Sequence, residues 1–186
     1  LMNISTSDGV SILKNAHPKP MSTVMWWHLV NDNSNLSPFD IGWSVTPSLG
    51  SPKDRASLIK GLKDNVLTAI SVHSTPIDDA ETKQPANKRE KGISGYNLVL
   101  PLLWDQLVRK SGWEVEKLWE KISFGPSQLL NQVEEKLSLD SNRWLLFDPE
   151  KEWSQSNEEK HLTTASNQPI IDKKIFGKVI DCGLIN

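Results

Sequence analysis

A single cysteine, Cys182, is all that this 186-residue chain contains. That excludes an internal disulfide framework and any cysteine-based zinc cluster, and it fits a reducing compartment. No apolar run reaches the ~18 to 20 residues of a transmembrane helix, and the basic-then-apolar opening of a signal peptide is missing. No membrane is expected, and the expected location is cytoplasmic. Charge of one sign is also lacking: 21 basic and 23 acidic residues are mixed along the chain, which leaves no electrostatic footprint for nucleic acid or an anionic membrane. Internal repeats, low-complexity tracts, a Gly-rich phosphate loop and a Ser-His-Asp order are absent too. What is present is an ordinary globular mixture, 37% hydrophobic and 24% charged, with room for one domain or pieces of two. The chain opens Leu1-Met2-Asn3, straight into strand-like sequence, and reads as a piece of a larger protein.

Leu1 to Thr6 is predicted as the end of a strand, followed by a short helix capped by Ser7 or Asp8, with Val10, Leu13 and Ile12 inward and a stop before Pro18. Ser22 to Val30 (STVMWWHLV) is a second strand candidate, leading into the loop NDNSNLSPFD. Ser51-Pro52-Lys53-Asp54 sets an N-cap serine, a proline at the first helical position and an acid in the first turn. A helix is therefore predicted from Pro52 to Lys63, with Leu58, Ile59 and Leu62 buried. The strand Ala69 to Val72 follows, then a long polar loop from Ile77 to Lys91. Helices are predicted over Gly95 to Lys110, Val115 to Ile122 and Ser127 to Glu134. This βα alternation is that of a parallel sheet or barrel. The pattern then changes to short strands, Arg143 to Phe147 and Lys178 to Cys182, on either side of a polar stretch with Trp153, Asn167 and Pro169, which suits a small β-structure beside the helical part. The boundary is set near Leu137 to Ser141, giving units 1–137 and 138–186.

Three segments in this order carry a family likeness: WSVTPSLGSPKDRASLIKGLKDNVLTAISVHSTP, then GISGYNLVLPLL, then WLLFDPEKEW with the terminal NQP and GKVIDCG. The chain resembles the C-terminal half of bacterial dihydroorotases, among the cyclic amidohydrolases, in a divergent, cyanobacterial-like form. The resemblance implies an α/β fold, the C-terminal part of a TIM (β/α)8 barrel (about strands six to eight), followed by strands of a small β-domain. It also implies a zinc pair held at strand ends by histidines, a lysine or aspartate, and a final aspartate that binds metal and moves protons.

At the matching positions this chain departs from the pattern. The sixth-strand His-Val-Ser-Thr reads Asn3-Ile4-Ser5-Thr6, so Asn3 replaces a zinc-binding histidine, and an amide carbonyl is a poor zinc donor. The eighth-strand Thr-Asp-His-Ala-Pro reads Val72-His73-Ser74-Thr75-Pro76, so His73 replaces the aspartate and Ser74 the histidine after it. The substrate-binding Asn-Pro-Pro-Leu-Arg reads Thr46-Pro47-Ser48-Leu49-Gly50, which removes an amide at Thr46 and a cation at Gly50. A metal-bound hydroxide needs a carboxylate to hold the ions and carry the proton to the leaving nitrogen, and the nearest acids, Asp78 and Asp79, lie beyond Pro76.

Two functions stay open. One is a noncatalytic dihydroorotase-like protein of pyrimidine biosynthesis, with no cofactor, acting as a structural partner of aspartate carbamoyltransferase or by self-association. The other is an active cyclic amidohydrolase with an altered or single-metal site, zinc being its cofactor and His73 a ligand or base. Each singled-out residue also has a plainer role. His73 would hydrogen-bond inside a filled barrel mouth, His28 would pack at a strand end, and His17 and His161 would be surface groups. Most of the eight tryptophans fall at core spacing, and of Trp26 and Trp27, which as neighbours in a strand face opposite ways, one should face outward. The run Lys88-Arg89-Glu90-Lys91 reads as a solvated loop.

Overall fold

Thr6 opens the first helix of the computed structural model, which describes residues 1–37, 40–85, 87–136, 138–139, 141, 143–155, 165–170 and 173–184. Its hydroxyl accepts from Gly9 N at 3.1 Å, so the cap of α1 (Ser7–Asn15) lies one residue before Ser7, the earlier of the two expected caps. Asp8 in the first turn and Lys14 in the last complement the helix dipole. Leu13 is buried and Val10 half-buried, whereas Ile12 is 71% exposed and leaves the expected apolar face.

Strands β1 (Thr23–Met25) and β2 (Ala69–Ser71) pair in parallel, Thr23 opposite Ala69 and Met25 opposite Ser71. Parallel strands need a crossover, and α3 (Pro52–Lys63) supplies it. The cap read in the sequence is present in full: the Ser51 hydroxyl accepts from Asp54 N, and the Asp54 carboxylate accepts from Ser51 N. Leu58 and Leu62 are buried beneath it with Ile59 half-buried. They join Leu13, Val24, Ile70 and Leu118 in one apolar core.

The strand expected over Leu1 to Thr6 is realised only as a bulged flank of β1. Thr23 N donates to Leu1 O at 3.0 Å and Ile4 N donates to Thr23 O at 2.9 Å. Asn3 lies between them with φ of 61°, a left-handed conformation that asparagine tolerates and that breaks the ladder. The second expected strand stops at Met25. Trp26 N makes the last ladder bond, to Ser71 O at 3.1 Å, while Trp26 itself is helical and leads into α2 (Trp27–Val30). Strand alternation therefore ends before the tryptophan pair. Both are buried, Trp26 to 1% and Trp27 to 4% exposure, against the expectation that one would face outward.

The polar segment after β2 is not a plain loop. Asp78 accepts from Glu81 N at 2.7 Å and caps α4 (Asp79–Thr82), with Ile77 and Thr82 buried. Helix α5 (Tyr96–Leu103) leaves Gly95, whose φ of 107° favours glycine, and continues as π-helix through Lys110. Helix α6 (Val115–Trp119) passes through a π-helical turn, Glu120–Phe124, into α7 (Gly125–Leu129). The two helices expected there are thus one rod, and it ends at Leu129 rather than near Glu134. A Cβ on Gly125 would stand 2.5 Å from Thr68 O, so glycine lets the rod lie against the start of β2.

Strands β3 (Arg143–Ser154) and β4 (Lys174–Leu184) form an antiparallel pair, longer than either expected strand, with register breaks after Leu146 and after Asp148. It packs on the helical part through Trp104, whose ring meets Phe147 edge-on at 5.2 Å, and through Arg109, whose guanidinium lies 4.2 Å over Phe176. Trp144 is 39% exposed, so it leaves the expected core set. The expected boundary near 137–141 falls partly on Leu137 and Asp140, which lie outside the described residues, as does His161. Among the described residues no helix is long and apolar enough to cross a membrane.

Candidate functional site

In a parallel α/β fold the carboxyl ends of the strands form the functional face, and here that face collects Asn3, Met25, Trp26, Ser71 and His73. The Ser71 hydroxyl donates to Val24 O at 3.2 Å and lies 3.2 Å from Met25 Sδ and 3.5 Å from Asn3 Oδ1. The Asn3 amide oxygen is thereby turned to a serine, and Asn3 N donates to Thr23 Oγ1 at 3.2 Å. Trp26 Nε1 donates to His73 O at 3.3 Å and fixes the end of the β2 chain. His73 itself is exposed in this chain, which spans only part of a barrel, so the expected hydrogen bond inside a filled mouth is not tested by it. The backbone runs out past β2 there, and Val72 is exposed beside it.

The stretch after His73 is held by a residue whose part the sequence reading did not identify. Asn167 is fully buried. Its Nδ2 donates to Thr75 O at 2.8 Å and its Oδ1 accepts from Ile77 N at 3.0 Å, so one side chain closes a backbone gap that no ladder satisfies. Ser166 N adds a bond to Ile77 O at 2.7 Å, and Thr75 N donates to Ile93 O at 2.9 Å. The available signal was an asparagine in the NQP segment, a type that bridges backbone groups in turns.

The segment Thr46 to Gly50 is anchored from below. His28 is buried, and its Nε2 lies 3.3 Å from Ser48 O. Burial holds its pKa below the ordinary histidine value, against carbonyls of Ser48 and Pro47 that favour the charged ring. This is the packing role expected of His28, with the difference that it sits on α2 rather than in a strand. Asn33 N donates to Gly50 O at 2.9 Å. Asp32 beside it pairs with Arg55 at 3.1 Å; burial pushes its carboxyl up, and bonds from Ser34 and the Arg55 charge outweigh that and lower it. Thr46 is exposed and Gly50 half-buried.

The structure thus joins Asn3 to Ser71 and joins His28 to the Thr46–Gly50 segment, while His73 and the half-buried Ser74 stand on the outgoing chain. Among the described residues no three His, Cys, Asp or Glu side chains are grouped as a metal ion would require. Asp78 is engaged in capping α4, and Asp79 pairs with Lys83. A cleft of about 700 Å³ lies between the end of α6, the π-helical turn 120–124, residues 135, 136, 138 and 141, and the start of β3, with Trp119, Ile122, Phe124 and Leu145 among its lining, and none of the strand-end residues lines it.

No protein-family model matches the chain. A probable dihydroorotase-like protein of Synechocystis sp. is 32% identical over 96% of this chain and 42% of its own length. A dihydroorotase of Staphylococcus epidermidis is 27% identical over 94% of the chain and 42% of its own length. The chain therefore spans about two fifths of these curated relatives. Among solved structures, a dihydropyrimidinase from Brevibacillus agri superposes with a TM-score of 0.82 at 17% identity, over 98% of this chain and 42% of that one. The inactive dihydroorotase-like domain of a Chaetomium thermophilum CAD-like multifunctional protein gives 0.67 at 15% identity, over 99% of this chain and 48% of that one. By sequence this chain is similar to dihydroorotases, and its fold is that of the matching two fifths of hydantoinase-type amidohydrolase chains, consistent with the C-terminal half of a TIM barrel and the β-structure that follows it.

Proposed function

We propose that the protein carrying this chain is a noncatalytic dihydroorotase-like protein of pyrimidine biosynthesis, which keeps the barrel as a scaffold and works as a structural partner, either of aspartate carbamoyltransferase or of further copies of itself. The observation that carries this reading is the state of Asn3. It stands where the family resemblance implies a zinc-binding histidine, and it occupies a left-handed bulge with its amide 3.5 Å from the Ser71 hydroxyl. An amide carbonyl is a weaker metal donor than imidazole. The replacement of the aspartate by His73 removes the group that would carry a proton to the leaving nitrogen. The presence of an inactive dihydroorotase-like domain among the structural neighbours supports the same reading.

Relatives that bear the plain name dihydroorotase favour a second reading, in which the intact protein hydrolyses a cyclic amide at an altered or single-metal zinc site. Zinc content and dihydroorotate turnover of the intact protein decide between them. The first reading expects substoichiometric zinc and no turnover above background. It also expects the double substitution Asn3→His and His73→Asp to raise zinc occupancy. Stoichiometric zinc with measurable hydrolysis in the unaltered protein would overturn it.

A further inference from the structure

Lysines far apart in the sequence converge at the end of the fold opposite the strand-end face. The turn Asp64-Asn65-Val66 links α3 to β2, and Asn65 has φ of 57°. Lys19 Nζ donates to Asn65 O at 2.7 Å, Lys117 Nζ to Asn65 Oδ1 at 2.8 Å, and Lys121 Nζ to the same Oδ1 at 2.7 Å. One carboxylate faces this ring: Glu120 takes Lys117 at 2.8 Å and Lys121 at 2.9 Å. Three ammonium groups against one carboxylate leave two positive charges around a single asparagine. Lys14, Lys60 and Lys63 act on the neighbouring Asp64, with Lys60 paired to it at 2.6 Å, so the excess extends across the turn in a chain whose net charge is −2.

Basic residues at the ends of α1 and α3 complement the helix dipoles, and that accounts for Lys14, Lys60 and Lys63. It does not account for the inner ring. Lys121 is 3% exposed and has its three donors committed to Asn65, Glu120 and, at 3.5 Å, Leu67 O. It acts as a fixed buried charge. Lys117 uses two donors and Lys19 one, so both keep N–H groups for a further acceptor. Point-charge ammonium donors, with no arginine fork among them, suit a phosphate more than a planar carboxylate.

We propose that the Lys19, Lys117 and Lys121 ring around Asn65 is a binding site for the phosphate group of a small soluble molecule. The two spare charges match a phosphate dianion, held directly by Lys19 and Lys117, with Lys121 supplying a charge that does not move. The site is remote from the strand ends, so it stands independently of whether the barrel hydrolyses anything.

Titration of the intact protein with inorganic diphosphate at low ionic strength, followed by calorimetry, tests this. Saturable binding at one site per chain is expected, weakening with added salt. Lys19→Gln and Lys117→Gln should each weaken it about tenfold, the scale of one charge-assisted hydrogen bond, and Lys151→Gln on the distant hairpin should leave it unchanged. Both substituted lysines have exposed or partly exposed side chains, so circular dichroism should show the fold retained, and Lys121 is left in place for that reason. Absence of saturable binding, or equal binding by the Lys19/Lys117 double variant and the Lys151 control, would overturn the proposal. So would capture by phosphatidylserine vesicles without diphosphate binding, since that would assign the charge to a lipid surface.

Discussion

Asn167 shows how much one buried polar side chain can decide at the residue scale. It gives one donor and one acceptor to backbone groups at Thr75 and Ile77, on either side of Pro76. Removing both would leave a buried N–H and C=O unpaired, so Asn167→Ala should destabilise the intact protein by about 2–4 kcal/mol, measured by urea denaturation. Asn167→Asp keeps the acceptor for Ile77 N and has an O–H to donate to Thr75 O only while protonated, so its cost should be smaller than that of alanine at a pH where the acid is protonated, and larger when it is ionised. Equal stability of all three would show that solvent satisfies these groups. The exchanges expected at Asn3 and His73 rest on neighbours that keep a recognisable order. The conformations there could not be read: nothing local says that Asn3 turns to Ser71, or that His73 is exposed in this chain.

At the scale of elements, legibility follows how local the determining interaction is. Helix α3 could be read in full because its start is written in four consecutive residues, Ser51 to Asp54, and realised as a capping box. Strand β1 could not, because VMWWHLV is apolar but for His28 and periodicity does not separate a buried strand from a buried helical turn. The deciding contact, Trp26 N to Ser71 O, comes from a strand 45 residues away. The same cap makes a pH prediction. The Asp54 carboxylate accepts from the Ser51 hydroxyl, from Ser7 N at 2.8 Å and from Ser51 N at 2.9 Å. These bonds hold its pKa well below the ordinary carboxylate range, the Ser51 hydroxyl contributing most. A pKa lowered on folding means that the unfolded chain takes up the proton first. The stabilisation is therefore complete above the unfolded carboxylate pKa, about 4, and is lost as the pH falls below it. Asp54→Asn should cost about 1 kcal/mol at neutral pH, given its partial exposure to solvent, and should flatten the acid limb of a melting-temperature profile. An unchanged acid limb in that variant would show that Asp54 does not link α1 to α3.

Across the whole molecule, what the sequence hides is spatial gathering. Lys19, Lys117 and Lys121 look evenly mixed with acids along the chain, and only the fold brings them onto Asn65. Apolar exposure is gathered in the same way. Leu145, Leu146, Trp144 and Ile180 are all exposed on the β3–β4 pair, Val72 is exposed next to β2, and among the described strands β2 pairs on one side only. An open parallel edge beside apolar surface is a template for association. The 186 residues expressed alone should bind a hydrophobic dye such as ANS, scatter light at micromolar concentration and melt over a broad range. Leu146→Lys with Ile180→Lys should lower the scattering while leaving the far-ultraviolet dichroism in place, because both side chains are already outside the core. A sharp, concentration-independent melting transition of a monomer would mean that the apolar surface of the β3–β4 pair is stable in water and that neither it nor the open edge of β2 requires a covering element.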